Sequence, residues 1–186
     1  MSAVATPTLN ATLTPGAWAV DPSHSAVSFS VRHLMVSKVR GRFGTFTGTF
    51  VIGDDLLASS LQASVEMTSV NTDDEGRDAH LRGPDFFDVE QFPTMSFAST
   101  ALVATGDNYA LTGDLTIKGV SHVVTFALEF EGVSVDPWGN TKAGFSAEAE
   151  INRKDWGLEW NMALETGGLL VGEKVKIQLD IEAARA

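Results

Sequence analysis

From Val120 to Phe130 the even positions carry Val120, His122, Val124, Phe126, Leu128 and Phe130, while the odd ones include Ser121, Thr125 and Glu129. A repeat of two residues is that of a strand with one buried face, because successive side chains of an extended chain point to opposite sides. Val175, Ile177, Leu179 and Ile181 alternate in the same way with Lys176, Gln178, Asp180 and Glu182. So do Val27, Phe29 and Val31 with Ser28, Ser30 and Arg32, and Leu61, Ala63, Val65 and Met67 with Gln62, Ser64 and Glu66. Tyr109, Leu111, Leu115 and Ile117 continue the pattern, as do Ala143, Phe145, Ala147, Ala149 and Ile151 against Ser146, Glu148 and Glu150. Strands are predicted near 17–21, 25–33, 39–53, 60–69, 94–104, 108–117, 120–135, 142–152 and 173–184. Turn residues separate most of them, at Gly106-Asp107, at Lys118-Gly119 and at 136–140.

Strands in succession, with one insert at 74–88, predict an all-β, closed antiparallel barrel of about eight strands, since an open sheet of this size would leave two exposed edges. Between Phe43 and Phe46 the apolar parity shifts around Gly44, which reads as a bulge or corner that helps the sheet curl shut. Strands of about 10 residues at roughly 3.3 Å each, tilted by about 40°, enclose a lumen on the order of 25 Å deep. Phe29, Val31, Phe43, Val65, Phe97, Phe126, Leu128 and Phe145 are placed inward by their parity. A space with such walls suits an acyl or isoprenoid chain.

The length of 186 residues fits one domain, 17–186, behind an N-terminal tail, 1–16, that is uncharged and without period. The first Lys or Arg is Arg32, so no basic leader precedes an apolar run, and no window reaches membrane-span length; a cytoplasmic location is expected. The chain has no cysteine, which excludes disulfides, thiolate catalysis and Cys-type zinc sites. Its formal charge of −11 makes nucleic acid and an anionic membrane poor partners, because both call for clustered cations.

The interruption at residues 74–88, DEGRDAHLRGPDFFD, is a short helical insert, with a helix expected over 75–82 and an i, i+4 ion pair between Asp78 and Arg82. Two readings of it stand: a helix stapled over one barrel end by Leu81, Phe86 and Phe87, or a head-group site with His80 and Arg82 facing the opening. His33 and His122 share the parity of their apolar neighbours and are expected inward. His24, His33, His80 and His122 lack the spacing of a metal site, so no metal and no cofactor is expected. No G-x-S-x-G elbow is present, and Ser23 beside His24 is not triad geometry. Asp155 and Glu159 near Arg153 read as a salt-linked turn. The run 161–172 breaks the strand period and is expected to form a lip over an opening, with Met162, Leu169 and Leu170 touching a ligand or a second subunit.

Five separated stretches carry a resemblance over nearly the whole chain after Gly16. They are WAVDPSHSAVSF from Trp18 to Phe29, HLMVSKVRGRF from His33 to Phe43, RDAHLR from Arg77 to Arg82 with DFFD from Asp85 to Asp88 and Phe92-Pro93, GDLTIKGV from Gly113 to Val120, and NRKDWGL from Asn152 to Leu158. In that order they resemble the YceI family. The resemblance implies a lipocalin-like, up-and-down eight-stranded antiparallel barrel that holds a polyisoprenoid or similar amphiphilic lipid, usually without catalysis, and points to a homodimer. Many relatives resemble periplasmic proteins with a signal peptide, whereas a cytoplasmic location is the expectation for this chain.

The sequence therefore predicts non-catalytic binding, sequestration or transport of a long-chain lipid. Phe29, Val31, Phe43, Val65, Phe97, Phe126, Leu128, Phe145, Trp160 and Leu170 are the expected lining, and His33, His80, Arg82 and Arg153 the expected head-group contacts. Two alternatives stay open: a lipid-modifying enzyme that uses His80 with Asp78 as a base pair, and a filled-barrel dimerisation scaffold.

Overall fold

The computed structural model describes residues 13–186. Its strands are β1 (Gly16–Val20), β2 (Ala26–His33), β3 (Ser37–Phe43), β4 (Phe46–Ile52), β5 (Ser60–Glu66), β6 (Val70–Asn71), β7 (Thr94–Thr105), β8 (Asn108–Ile117), β9 (Val120–Val135), β10 (Thr141–Asn152) and β11 (Val171–Arg185). Helix α1 (Glu75–Arg82) lies between β6 and β7. Every pairing is antiparallel, and β1 closes the ring by pairing with both β4 and β11.

Eleven segments make eight barrel staves because the first three staves are each broken once. Both β1 and β2 lie along β11, with Trp18 opposite Arg185 and Val27 opposite Leu179. Next, β4 and β3 run along β1 and β2, and β5 and β6 along β4 and β3. The parity shift read around Gly44 is the break between β3 and β4. There the Gly44 amide leaves the ladder and donates to the Ser69 carbonyl, so Phe43 and Phe46 are both buried.

Two glycines keep the interior from filling. Phe29 lies opposite Gly41, and a Cβ on Gly41 would run into its ring. The ring of Phe97 crosses Gly113 in the same way. Each ring therefore lies against the wall and not across the lumen.

Of the tail expected over 1–16, residues 1–12 lie outside the described residues. Leu13 is 3% exposed and packs with Trp18, Phe50, Ile52 and Leu56 at the end of the barrel opposite α1. The Trp18 indole donates to the Thr14 carbonyl at 3.1 Å, tying this stretch down.

At the other end α1 is capped by Asp74, which accepts from the Arg77 amide. The expected Asp78–Arg82 ion pair does not form. Asp78 turns inward, 6% exposed, and accepts from the amide and hydroxyl of Thr72 at 2.8 and 2.6 Å. Arg82 donates instead to the carbonyls of Thr68 and Val70, both at 3.1 Å. A buried carboxylate with two donors from the preceding strand outweighs an exposed pair one turn along, which is worth only a few tenths of a kcal/mol at about 0.3–0.5.

A cavity of two lobes inside the barrel

The lumen holds two adjoining lobes. The inner lobe, about 200 Å³, reaches from Leu13 and Phe50 to Phe97 and Phe126, and its walls are apolar apart from hydroxyls such as Ser96 and Ser146. The outer lobe, about 400 Å³, lies under α1 and is bounded by Phe29, Val31, Phe43, Phe87, Trp160 and Leu170 among others. Val27, Met95 and Ile177 line both, so they form the constriction between them. Inward residues of β2 and β11 such as Phe29, Val31, Val175 and Ile177 are only half-buried although they point into the barrel. An unfilled lumen accounts for this. The exposed members of the outer lining are Arg32 on one side and Gly76 and Arg77 on the other, which places the opening between the β2–β3 hairpin and α1.

All ten residues expected as lining border one lobe or the other. Val65, Phe97, Phe126, Leu128 and Phe145 face the inner lobe, and Phe29, Val31, Phe43, Trp160 and Leu170 the outer. Of the four head-group candidates, His33, His80 and Arg153 border the outer lobe and Arg82 does not. Arg153 is 3% exposed, and its guanidinium donates to the carbonyls of Leu158, Trp160, Val171 and Gly172. It thus clamps the base of the 161–170 lip to β11, and burial pulls its pKa below the ordinary arginine value. It does not pair with Asp155 or Glu159, as the salt-linked turn would require.

His80 is not paired with Asp78. Its Nε2 lies 2.9 Å from Asp85 Oδ2, and its ring stands edge-on to Trp160 at 4.6 Å and Phe86 at 5.1 Å. A general base built on His80 and Asp78 therefore has no geometric support. Arg77 is also committed, to the hydroxyl and carbonyl of Thr72. The Arg32 guanidinium and the His33 ring carry no hydrogen bond or ion pair among the described residues. His122, expected inward, is exposed at the start of β9, where its Nε2 contacts the Asp155 carbonyl at 2.8 Å and its ring meets Trp156.

On the outside of the barrel, Asp21, His24, Glu182 and Lys142 converge. His24 Nδ1 is 3.0 Å from Asp21 Oδ2 and 3.8 Å from Glu182 Oε1. Three such ligand atoms could in principle hold a metal ion. The Lys142 ammonium already sits 3.2 Å from Asp21 and 3.7 Å from Glu182, supplying the positive charge there. Hydrogen bonds from Ser23, His24 and Lys142 hold the Asp21 carboxyl well below the usual carboxylate range. His24 is raised in turn by its bond to Asp21 and the charge of Glu182. Ser23 Oγ and Asp21 both contact the same His24 nitrogen, Nδ1, at 3.1 and 3.0 Å. A nucleophilic relay needs one partner on each ring nitrogen, so this is no triad.

Sequence reasoning missed Met95 and Leu13 among the lining. Met95 sits two residues before Phe97 on the inward face, so parity could have found it. Leu13 carries no periodic signal at all.

Comparison with known proteins agrees with this architecture. A UPF0312 protein of Staphylococcus aureus is 39% identical over 165 residues, covering 87% of this chain and 94% of that protein. A UPF0312 protein of Staphylococcus epidermidis is 40% identical with the same coverage. The crystal structure of BcnA from Burkholderia cenocepacia matches with a TM-score of 0.74 at 24% identity, over 88% of this chain and 98% of that one. The Campylobacter jejuni YceI protein matches with 0.69 at 27% identity, over 83% and 90%. A polyisoprenoid binding domain from Saccharophagus degradans shares the fold, with 0.68 at 16% identity over 91% and 98%. A YceI-like domain is matched over residues 18–183, and the chain belongs to the YceI-like family.

Proposed function

We propose that the barrel binds one long-chain amphiphilic lipid, of polyisoprenoid or fatty-acyl type, and sequesters or carries it without chemical change. The observation that carries this reading is the two-lobed apolar lumen, open beside α1 and lined by Leu13 at the far end. The polar end of the ligand rests beside Arg32, His33 and His80, and its tail passes Val27, Met95 and Ile177 into the inner lobe. Burying about 12 methylenes at about 0.8 kcal/mol each contributes roughly 10 kcal/mol before the cost of immobilisation, enough without a covalent bond. The fold shared with a polyisoprenoid binding domain agrees with this. The non-catalytic reading is supported by the commitment of Arg77, Arg82 and Arg153 to backbone or Thr72 oxygens.

The test is native mass spectrometry of freshly purified protein, with extraction of the same sample into organic solvent. An adduct near one per chain, recovered as an isoprenoid or long-chain lipid, is expected. A bare mass that stays bare after incubation with polyprenyl and fatty-acyl candidates would overturn the reading.

A further inference from the structure

The hairpin joining β2 to β3 has features that the folded chain itself does not use. Its turn is Leu34, Met35 and Val36, which are 41%, 58% and 82% exposed. Leu34 and Met35 both have left-handed backbone, with φ of 53° and 62°. Positions of that kind in a hairpin favour Asn and Gly, and bulky side chains there are strained. Met162, 57% exposed, belongs to the neighbouring lip, which the hairpin touches through the Leu34 amide and the Leu170 carbonyl at 2.9 Å. The result is an apolar tip beside the opening of the outer lobe.

Charge on the hairpin runs against that of the molecule. Between Pro22 and Gly53 there is no Asp or Glu, whereas Arg32, Lys38, Arg40 and Arg42 fall within this stretch of a chain whose net charge is −11. Arg32 stands directly opposite Lys38 across the ladder, and Arg40 follows on the same face. Like charges in that relation repel. Arg42 is paired with Asp73; Arg32, Lys38 and Arg40 have no acidic partner among the described residues. Glu165 is the one acid in the 161–170 lip.

We propose that this hairpin docks the protein on an anionic lipid surface, with Leu34, Met35, Val36 and Met162 entering the interface and Arg32, Lys38 and Arg40 meeting lipid head groups. The occupant follows from charge complementarity: an apolar tip with a ring of unpaired cations matches an interface that is greasy within and negative at its surface. Net charge argues otherwise only at long range. Contacts at the surface are governed by groups within about 8 Å, the screening length at physiological salt. Docking in this orientation faces the opening of the outer lobe toward the bilayer, so a lipid could move between membrane and lumen without crossing water. The proposal rests on the lipid-binding reading for its purpose and not for its test.

That test is flotation of the full chain with vesicles of phosphatidylcholine alone or mixed with phosphatidylglycerol. The variants are Val36→Asp and the double variant Lys38→Glu with Arg40→Glu, none of which lines the cavity. The protein is expected to float with the anionic vesicles only, and less as salt rises. The charge reversals should lower the partition at least about thirtyfold, which corresponds to two lost contacts of about 1 kcal/mol each. Val36→Asp should lower it too, with uptake of a soluble lipid probe in native mass spectrometry unchanged for both. Failure of the parent protein to float, or equal flotation of the variants, would overturn the proposal whatever the cavity binds. Concentration-dependent dimerisation lost in Val36→Asp, without flotation, would assign the tip to a second copy of this chain and also overturn it.

Discussion

Val27→Phe is the substitution that separates an open lumen from a filled one. Val27 lines both lobes, with Met95 and Ile177 completing the constriction. A phenyl ring there grows into unoccupied space and closes the way to the inner lobe. If each chain carbon takes about the volume of a water molecule, about 30 Å³, then roughly six fit into the inner lobe. By the same measure about 13 fit into the outer lobe, so about three of palmitate's carbons reach the inner one; excluding three at about 0.8 kcal/mol each costs about 2.4 kcal/mol, or roughly fiftyfold in affinity. The assay is a titration with two ligands that share a head group, octanoate and palmitate, read by native mass spectrometry. Palmitate binding should fall by that order and octanoate binding should hold, since the short chain ends in the outer lobe.

Stability supplies the independent arm. Placing a larger side chain in a close-packed core costs about 1–3 kcal/mol, whereas filling an existing void does not. The thermal midpoint of the ligand-free variant should therefore match or exceed that of the parent. A variant that unfolds several degrees earlier and binds palmitate as before would refute both the cavity and the path through it.

Two further outcomes follow from the polar groups. Arg153→Met leaves the carbonyls of Leu158, Trp160, Val171 and Gly172 without their donor, so it should cost about 2–4 kcal/mol in denaturant unfolding and speed hydrogen exchange across residues 157–172. The cluster of Asp21, His24, Lys142 and Glu182 makes stability depend on pH. Asp21 has a depressed pKa, so its contribution is present above about 3.9, its unfolded value, and is lost as pH falls toward its folded one. His24 has a raised pKa, so its contribution is complete below about 6.5 and disappears as pH rises through its folded value. Thermal midpoints should therefore peak between about pH 4 and 6.5 relative to Asp21→Asn, whose own profile should be flatter on both sides.

The barrel and its inward faces were legible because alternation is a local property. Val124, Phe126 and Leu128 reveal their face through their neighbours alone, and Gly44 announces a corner by shifting the parity between Phe43 and Phe46. Side-chain partners were not legible in the same way. Asp78 has Arg82 four residues on, yet its partner is Thr72, which faces it only once β6 has turned into α1. The same fold hands His80 to Asp85 across the Gly83-Pro84 turn. Arg153 read as a ligand contact because an arginine near an apolar run invites it. Its use became visible only when the lip folded back and brought four carbonyls around it. His122 keeps the parity of Val124 and Phe126, opposite Leu115 and against the buried Trp156, but β9 begins at the barrel rim and leaves its ring exposed to solvent.

The commitments around the outer lobe bear on what kind of ligand the site can select. Arg77 and Arg153 border it with their charges already engaged, and His80 is shared with Asp85. Arg32 and the His33 ring are what remains for a polar end. A phosphate would call for several convergent donors, each a charge-assisted bond, and this rim offers fewer than that. A neutral or singly charged end asks for one or two, which it does offer. Selection then rests on the tail. Each added methylene contributes about 0.8 kcal/mol only as long as there is apolar wall left to meet it. That wall includes Leu13, so under the proposed reading Leu13 helps to set the length of tail the barrel would take.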